Sequence, residues 1–255
     1  MTATPAGITY TDYLSLDELL GAQRPLSALH DEMLFIVIHQ TKELWLKQML
    51  HELRLAIELV GEDRFAPAYK AMSRVSRIQS VMTLSWDVLA TLTPVDYTAF
   101  RNVLGTSSGF QSAQFRELEF RLGIKDERYL SHYPADSHEH SRLLAALEQR
   151  SLREASHLAL ERGGFDLGDR SVQSLAAAWV QVYRDSERWF DLYQLAEKLV
   201  DLDDALASWR HKHVLTVERI IGSKPGTGGS AGAAYLRSTI DKRAFPELWA
   251  LRTEL

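Results

Sequence analysis

Cysteine does not occur among the 255 residues, and that single absence removes disulfides, zinc–thiolate sites, iron–sulfur clusters and thiol nucleophiles together. A metal bound by this chain can take only His, carboxylate or tyrosinate ligands from it. No apolar stretch approaches the ~20 residues that a membrane span needs, and MTATPAGITYTDY at the start has neither the basic head nor the apolar stretch of a secretory leader. A soluble, cytoplasmic protein is expected. Neither sign of charge is in marked excess, with 29 basic against 34 acidic residues, so the electrostatic footprint of a nucleic-acid or acidic-membrane binder is missing. The partners left are a small molecule and other protein chains.

What is present is helical periodicity. From His30 to about Val60 the chain places Trp45, Leu46, Met49, Leu50, Leu53, Ile57 and Val60 on a 3.6-residue stripe, and Gly61 follows it. The apolar run Met33–Ile38 within this helix is greasy on every side and is expected inside the protein. A second long pattern, about Ala66 to Leu92, follows a short polar link, which predicts an antiparallel pair. Thr93, Pro94 and Asp96 form a helix-start signature, and further helices are expected near 110–122, 143–160 and 172–200. The polar segment between Gly123 and His140 reads as a solvated loop. A helix through His213 stops at Gly222, and a glycine-rich loop, Ser223–Gly232, leads to a short helix near Ala233 and a last one opened by Pro246. Strand-like alternation is missing throughout, so the fold is expected to be all-α, a single bundle of long antiparallel helices.

The candidate chemistry lies on these helices. Phe35 and His39 stand four apart, giving an apolar wall with a polar tip. Tyr97 and Arg101 likewise share a face. His211 and His213 are two apart, so they point about 200° apart and cannot chelate one ion together. The cluster His132, His138 and His140 matches no metal motif, and the glycine loop lacks the order of a phosphate cradle. Two readings of the remaining histidines stay open: ordinary packed imidazoles, or one axial histidine opposite an apolar pocket with a polar distal residue, as a haem protein needs.

Three stretches, HDEMLFIVIHQTKELWLKQ, TPVDYTAFRNVLGTSSGFQSAQFR and WRHKHVLTVERIIGSKPGTGGSAG, resemble the signature blocks of the tryptophan 2,3-dioxygenase family, in order, with weaker similarity between them over nearly the whole chain. The resemblance implies one haem dioxygenase-like domain over residues 1–255, a homotetramer that binds haem b and opens the indole ring of L-tryptophan with O₂ to N-formylkynurenine. Carried over residue by residue, it implies His213 as the axial iron ligand and His39 as the catalytic residue that meets the indole N–H. Phe35 and Trp86 line the pocket, Trp86 on the cofactor side, and Ser108 lies near a haem propionate. Arg101 and Tyr97 hold the substrate carboxylate, with Arg101 expected to be buried, while Thr227 meets the amino-acid end. Tyr10 and Tyr13 belong to a segment, residues 1–25, that is exchanged with a neighbouring subunit and reaches its site. The chain departs from the family pattern at His211, where an aromatic residue is usual, and at Ala231, where GTGGSSG becomes GTGGSAG. Two other activities fit the same resemblance: single-oxygen insertion into a substituted tryptophan, or haem binding as a sensor or scaffold without turnover.

Overall fold

The computed structural model describes residues 7–255, and every regular element among them is helical. Helices α1 (Tyr10–Leu14) and α2 (Leu16–Leu20) bury none of their own residues. The loop after them is pinned to α3 (His30–Gly61) by the first-turn carboxylate of Glu32, which accepts hydrogen bonds from the Leu26 and Ser27 amides at 2.7 and 2.8 Å. An acidic group at this end also complements the helix dipole. Helix α4 (Phe65–Leu89) returns along α3, with Pro67 confined to its first turn, where no amide donor is needed. Thr93 and Asp96 then form the expected capping box: the Thr93 hydroxyl accepts from the Asp96 amide at 3.3 Å and the Asp96 carboxylate accepts from the Thr93 amide at 3.1 Å. That box opens α5 (Pro94–Arg101).

After a 3₁₀ turn at Gly109–Gln111 come α6 (Ala113–Leu122), α7 (His138–Glu148), α8 (Leu152–Arg162) and α9 (Val172–Arg184). The long α10 (Phe190–Ile221) and the short α11 (Ala233–Arg237) and α12 (Pro246–Ala250) complete the chain. The centre of the molecule is α3, α4 and α10, with α6 and α8 laid on α3. Met49, Leu50, Leu53, Met72, Val75, Leu195 and Leu199 meet there without any exposed surface, and each such side chain contributes about 1.5–3 kcal/mol by leaving water. The C-terminal segment is fastened by two buried carboxylates. Asp203 of α10 accepts from the Ala244 amide at 3.0 Å and from the Trp249 indole N–H at 3.0 Å. Glu247 accepts from Arg153 at 2.7 Å and meets His157 at 2.9 Å. Among the described residues no helix is long and apolar enough to cross a membrane.

Four expectations need correction. The stretch 143–160 is two helices, because Ser151 and Glu154 form a capping box that starts α8 afresh. The stretch 172–200 is broken after Arg184, where a turn places the Trp189 ring edge-on against Phe165 at 4.8 Å before α10 begins. The supposed loop at 123–140 contains a 3₁₀ turn, Glu127–His132, capped by Asp126, and the first residues of α7, capped by Ser137. Two of its polar residues, Asp126 and Ser137, are caps, which a composition reading cannot tell from loop. Finally, of the run Met33–Ile38 only Ile38 is buried, while Met33 and Val37 are each 41% exposed. At this end α3 is packed on one side only, and its outer apolar face is uncovered within one chain.

Candidate active site

A cavity of about 220 Å³ opens between the first half of α3, the end of α4, the 107–116 segment and the second half of α10. The sequence stripe that folds into α3 delivers three consecutive side chains of one face to it: Phe35, His39 and Lys42. The His39 Nδ1 lies 2.7 Å from the Phe35 carbonyl oxygen. A carbonyl only accepts, so Nδ1 carries the proton and Nε2 is left as the acceptor of this imidazole. Burial holds the His39 pKa below its ordinary value, against the pull of the Phe35 carbonyl, so the ring is neutral at pH 7. Phe35 continues the wall, its ring tilted against His39 at 4.2 Å and close to Tyr97 and Phe100 at 5.9 and 5.7 Å.

At the α10 side stands His213. It borders the cavity, which leaves part of its ring accessible, and it makes no hydrogen bond among the described residues. Burial, with the charges of Lys42, His39 and Arg116 adding to it, pushes its pKa down to about 3, so this imidazole too is neutral. Trp86 stacks on it at 4.3 Å and Trp209 lies at 5.0 Å. His211 points elsewhere: it is exposed, and its Nδ1–H donates to the Ala207 carbonyl at 2.9 Å. Ala231 is exposed as well, so neither departure from the family pattern borders the cavity.

The mouth is closed by the glycine-rich loop. Gly222 ends α10 at φ 61°, ψ −132°, a conformation open to glycine alone. The Thr227 hydroxyl donates to the Ser107 carbonyl at 2.5 Å. Gly228 packs so closely on the 106–108 turn that a Cβ there would lie 2.6 Å from the Ser108 Cβ. Ser108 borders the cavity and its hydroxyl accepts from the Phe110 amide at 3.3 Å. Tyr97 also borders it, with burial raising its pKa against the effect of the Arg101 guanidinium, so the phenol keeps its proton. Arg101 itself sits at the rim, half-buried rather than buried, donating to the Pro225 carbonyl at 2.5 Å. Tyr10 and Tyr13 do not reach the cavity of their own chain and are each 74% exposed. The first six residues of the segment 1–25 lie outside the described residues.

Sequence reasoning missed the polar floor. Arg116 and Arg210 both grip Glu119, at 2.5 and 2.7 Å, and all three are buried at the cavity wall. Lys42 was missed too, although its spacing from Phe35 and His39 was the signal that places it on their face.

Comparison with known proteins gives one family. A family model described as tryptophan 2,3-dioxygenase matches residues 1–167 and 159–255. A tryptophan 2,3-dioxygenase of Caulobacter vibrioides is 58% identical over 97% of this chain and 98% of its own length. Proteins of the same description from Bacillus cereus and Ralstonia pickettii are 51% and 49% identical, each over 97% of this chain and 93% of its own length.

Proposed function

The chain belongs to the tryptophan 2,3-dioxygenase family, and from that premise we propose that it opens the indole ring of L-tryptophan with O₂ to give N-formylkynurenine, using haem b. The observation that carries this reading is the pairing of two neutral imidazoles in one apolar cavity: His213 without a hydrogen-bond partner, and His39 with Nε2 as an acceptor. The cavity also suits haem b in its donor set. Trp86, Arg116 and Trp209 border it with buried N–H groups that have no acceptor among the described residues, and a flat ring system bearing two carboxylates supplies both the apolar bulk and the missing acceptors.

His213 is the residue that would hold the iron, since a depressed pKa keeps its lone pair free at neutral pH. Haem b supplies the iron that activates O₂. The chain does the rest by binding and orientation. His39 accepts the indole N–H at Nε2 and fixes the ring against Phe35, with no proton removed. Arg101 offers a planar fork to the substrate carboxylate at the rim, beside the protonated Tyr97. Thr227, held over the 106–108 turn, faces the amino-acid end, while Ser108 and Trp86, which border the cavity, would help to hold the haem. The loop shuts water from the reacting ring. We further propose one domain spanning residues 1–255 and a cytoplasmic homotetramer in which the 1–25 segment, with Tyr10 and Tyr13, packs on a neighbour. Its support is the apolar surface of α1 and α2, which covers nothing in its own chain. Family membership does not favour single-oxygen insertion or a scaffold role.

The test of the axial assignment is haem retention. His213→Ala is expected to lose the Soret absorbance of the purified protein, and His211→Ala to keep it; loss of haem in the His211 variant would transfer the assignment.

A further inference from the structure

Lys42 is the feature of the cavity that neither the indole nor the apolar face of a macrocycle explains. It is 6% exposed, its Nζ has no hydrogen-bond partner among the described residues, and that nitrogen rests 2.8 Å from the centroid of the Trp86 ring. The two carboxylates bordering the cavity do not serve it: Glu43 accepts from Gln114 at 2.7 Å, and Glu119 is held by Arg116 and Arg210. Burying an amine without an acceptor is costly, and a lysine at a helix position with solvent available would swing its head outward. This one points inward, next to the unpartnered indole N–H of Trp86. Burial pushes the Lys42 pKa down to about 6, so the amine over the Trp86 ring face is mostly neutral at pH 7 and takes up a proton once an anion lies beside it. With the indole N–H at the edge of the same ring, also without an acceptor among the described residues, it describes a carboxylate site.

Carboxylates could come to this cavity from two sources, the substrate and the macrocycle. The substrate's is accounted for at the rim by Arg101, which lies outside the cavity wall on the Pro225 side. We propose that the Lys42 ammonium is the ionic partner of a haem propionate, shared with the Trp86 N–H. The proposal rests on the reading that the chain holds haem b, and assigns to Lys42 the anchoring of one edge of the macrocycle. Lysine at this position costs the empty protein stability and returns it as cofactor affinity.

The test compares haem b with its dimethyl ester, in which both propionates are neutral, by optical titration of the apoprotein. Lys42→Met keeps the length and apolar stem and removes the charge. It is expected to weaken haem b binding by about tenfold or more, the worth of a charge-assisted hydrogen bond, and to leave the affinity for the dimethyl ester unchanged. An equal loss for both haems would reduce Lys42 to packing, and no loss for either would make it idle; both overturn the proposal. Unchanged haem affinity with weaker tryptophan binding overturns it in favour of the substrate carboxylate. A native protein that takes up neither haem refutes the haem reading itself and the lysine proposal with it. Should the methionine variant fail to fold, Lys42→Gln gives the same comparison with a polar, uncharged tip.

Discussion

At the scale of single residues, the account turns on which nitrogen of His39 carries a proton. The Phe35 carbonyl takes the Nδ1–H, and burial keeps the ring neutral, so Nε2 is free to accept a hydrogen bond, which the proposed function gives to the indole N–H. His39→Ala is expected to lower kcat/KM by roughly threefold to tenfold, the worth of one neutral hydrogen bond, with the haem spectrum unaltered. Because the folded pKa lies below the ordinary histidine value, the native profile should stay flat as pH falls through that value, and steady-state kinetics between acid and neutral pH check it. A loss on the order of 10²–10⁴ would instead mark proton transfer by a general base. Phe35 and His39 were singled out in the sequence by helical spacing and by the family blocks, His213 by the family blocks alone, and all three border the cavity. Lys42 and the Arg116–Glu119–Arg210 floor were not singled out. A buried charge looks like a surface charge in a string of letters, and only the packing of α6 on α3 and of α10 on α4 reveals that these positions are buried.

At the scale of elements, the glycine loop and the 106–108 turn act as one lid. Gly228 permits their contact, and the Thr227–Ser107 hydrogen bond fastens it. Gly228→Ala puts a Cβ where the Ser108 Cβ already lies, and overpacking of this kind costs about 1–3 kcal/mol. The expected result is a raised KM for tryptophan, about tenfold, with far-UV circular dichroism unchanged; a native KM would mean that the lid contact does not shape substrate binding. Element starts were legible wherever a side chain caps them, as at Thr93. The missed boundaries had the same signal: Ser151 with Glu154, and Ser137 ahead of α7, are caps hidden inside polar stretches that also read as continuous helix or loop. The break before α10 had no such mark, because the position of Trp189 against Phe165 is a tertiary contact.

At the scale of the whole molecule, the long helices bury their shared stripe while the N-terminal helices and the outer face of α3 leave Tyr10, Tyr13, Leu20, Met33 and Val37 uncovered. Such a surface is what the proposed assembly would cover. In the proposed assembly Tyr10 and Tyr13 serve a neighbour's site, so deleting the residues before Leu14 is expected to raise KM without removing haem; a native chain that sediments as a monomer would contradict the exchange. The all-helical class was legible from periodicity, whereas the quaternary role of the first 25 residues was suggested by resemblance and by little else in the sequence. The central claim is ring opening with both oxygen atoms, and the most direct measurement is the product mass after turnover of L-tryptophan under ¹⁸O₂. The account predicts N-formylkynurenine carrying two labelled atoms; a product with one labelled atom and an intact indole-derived ring would contradict it.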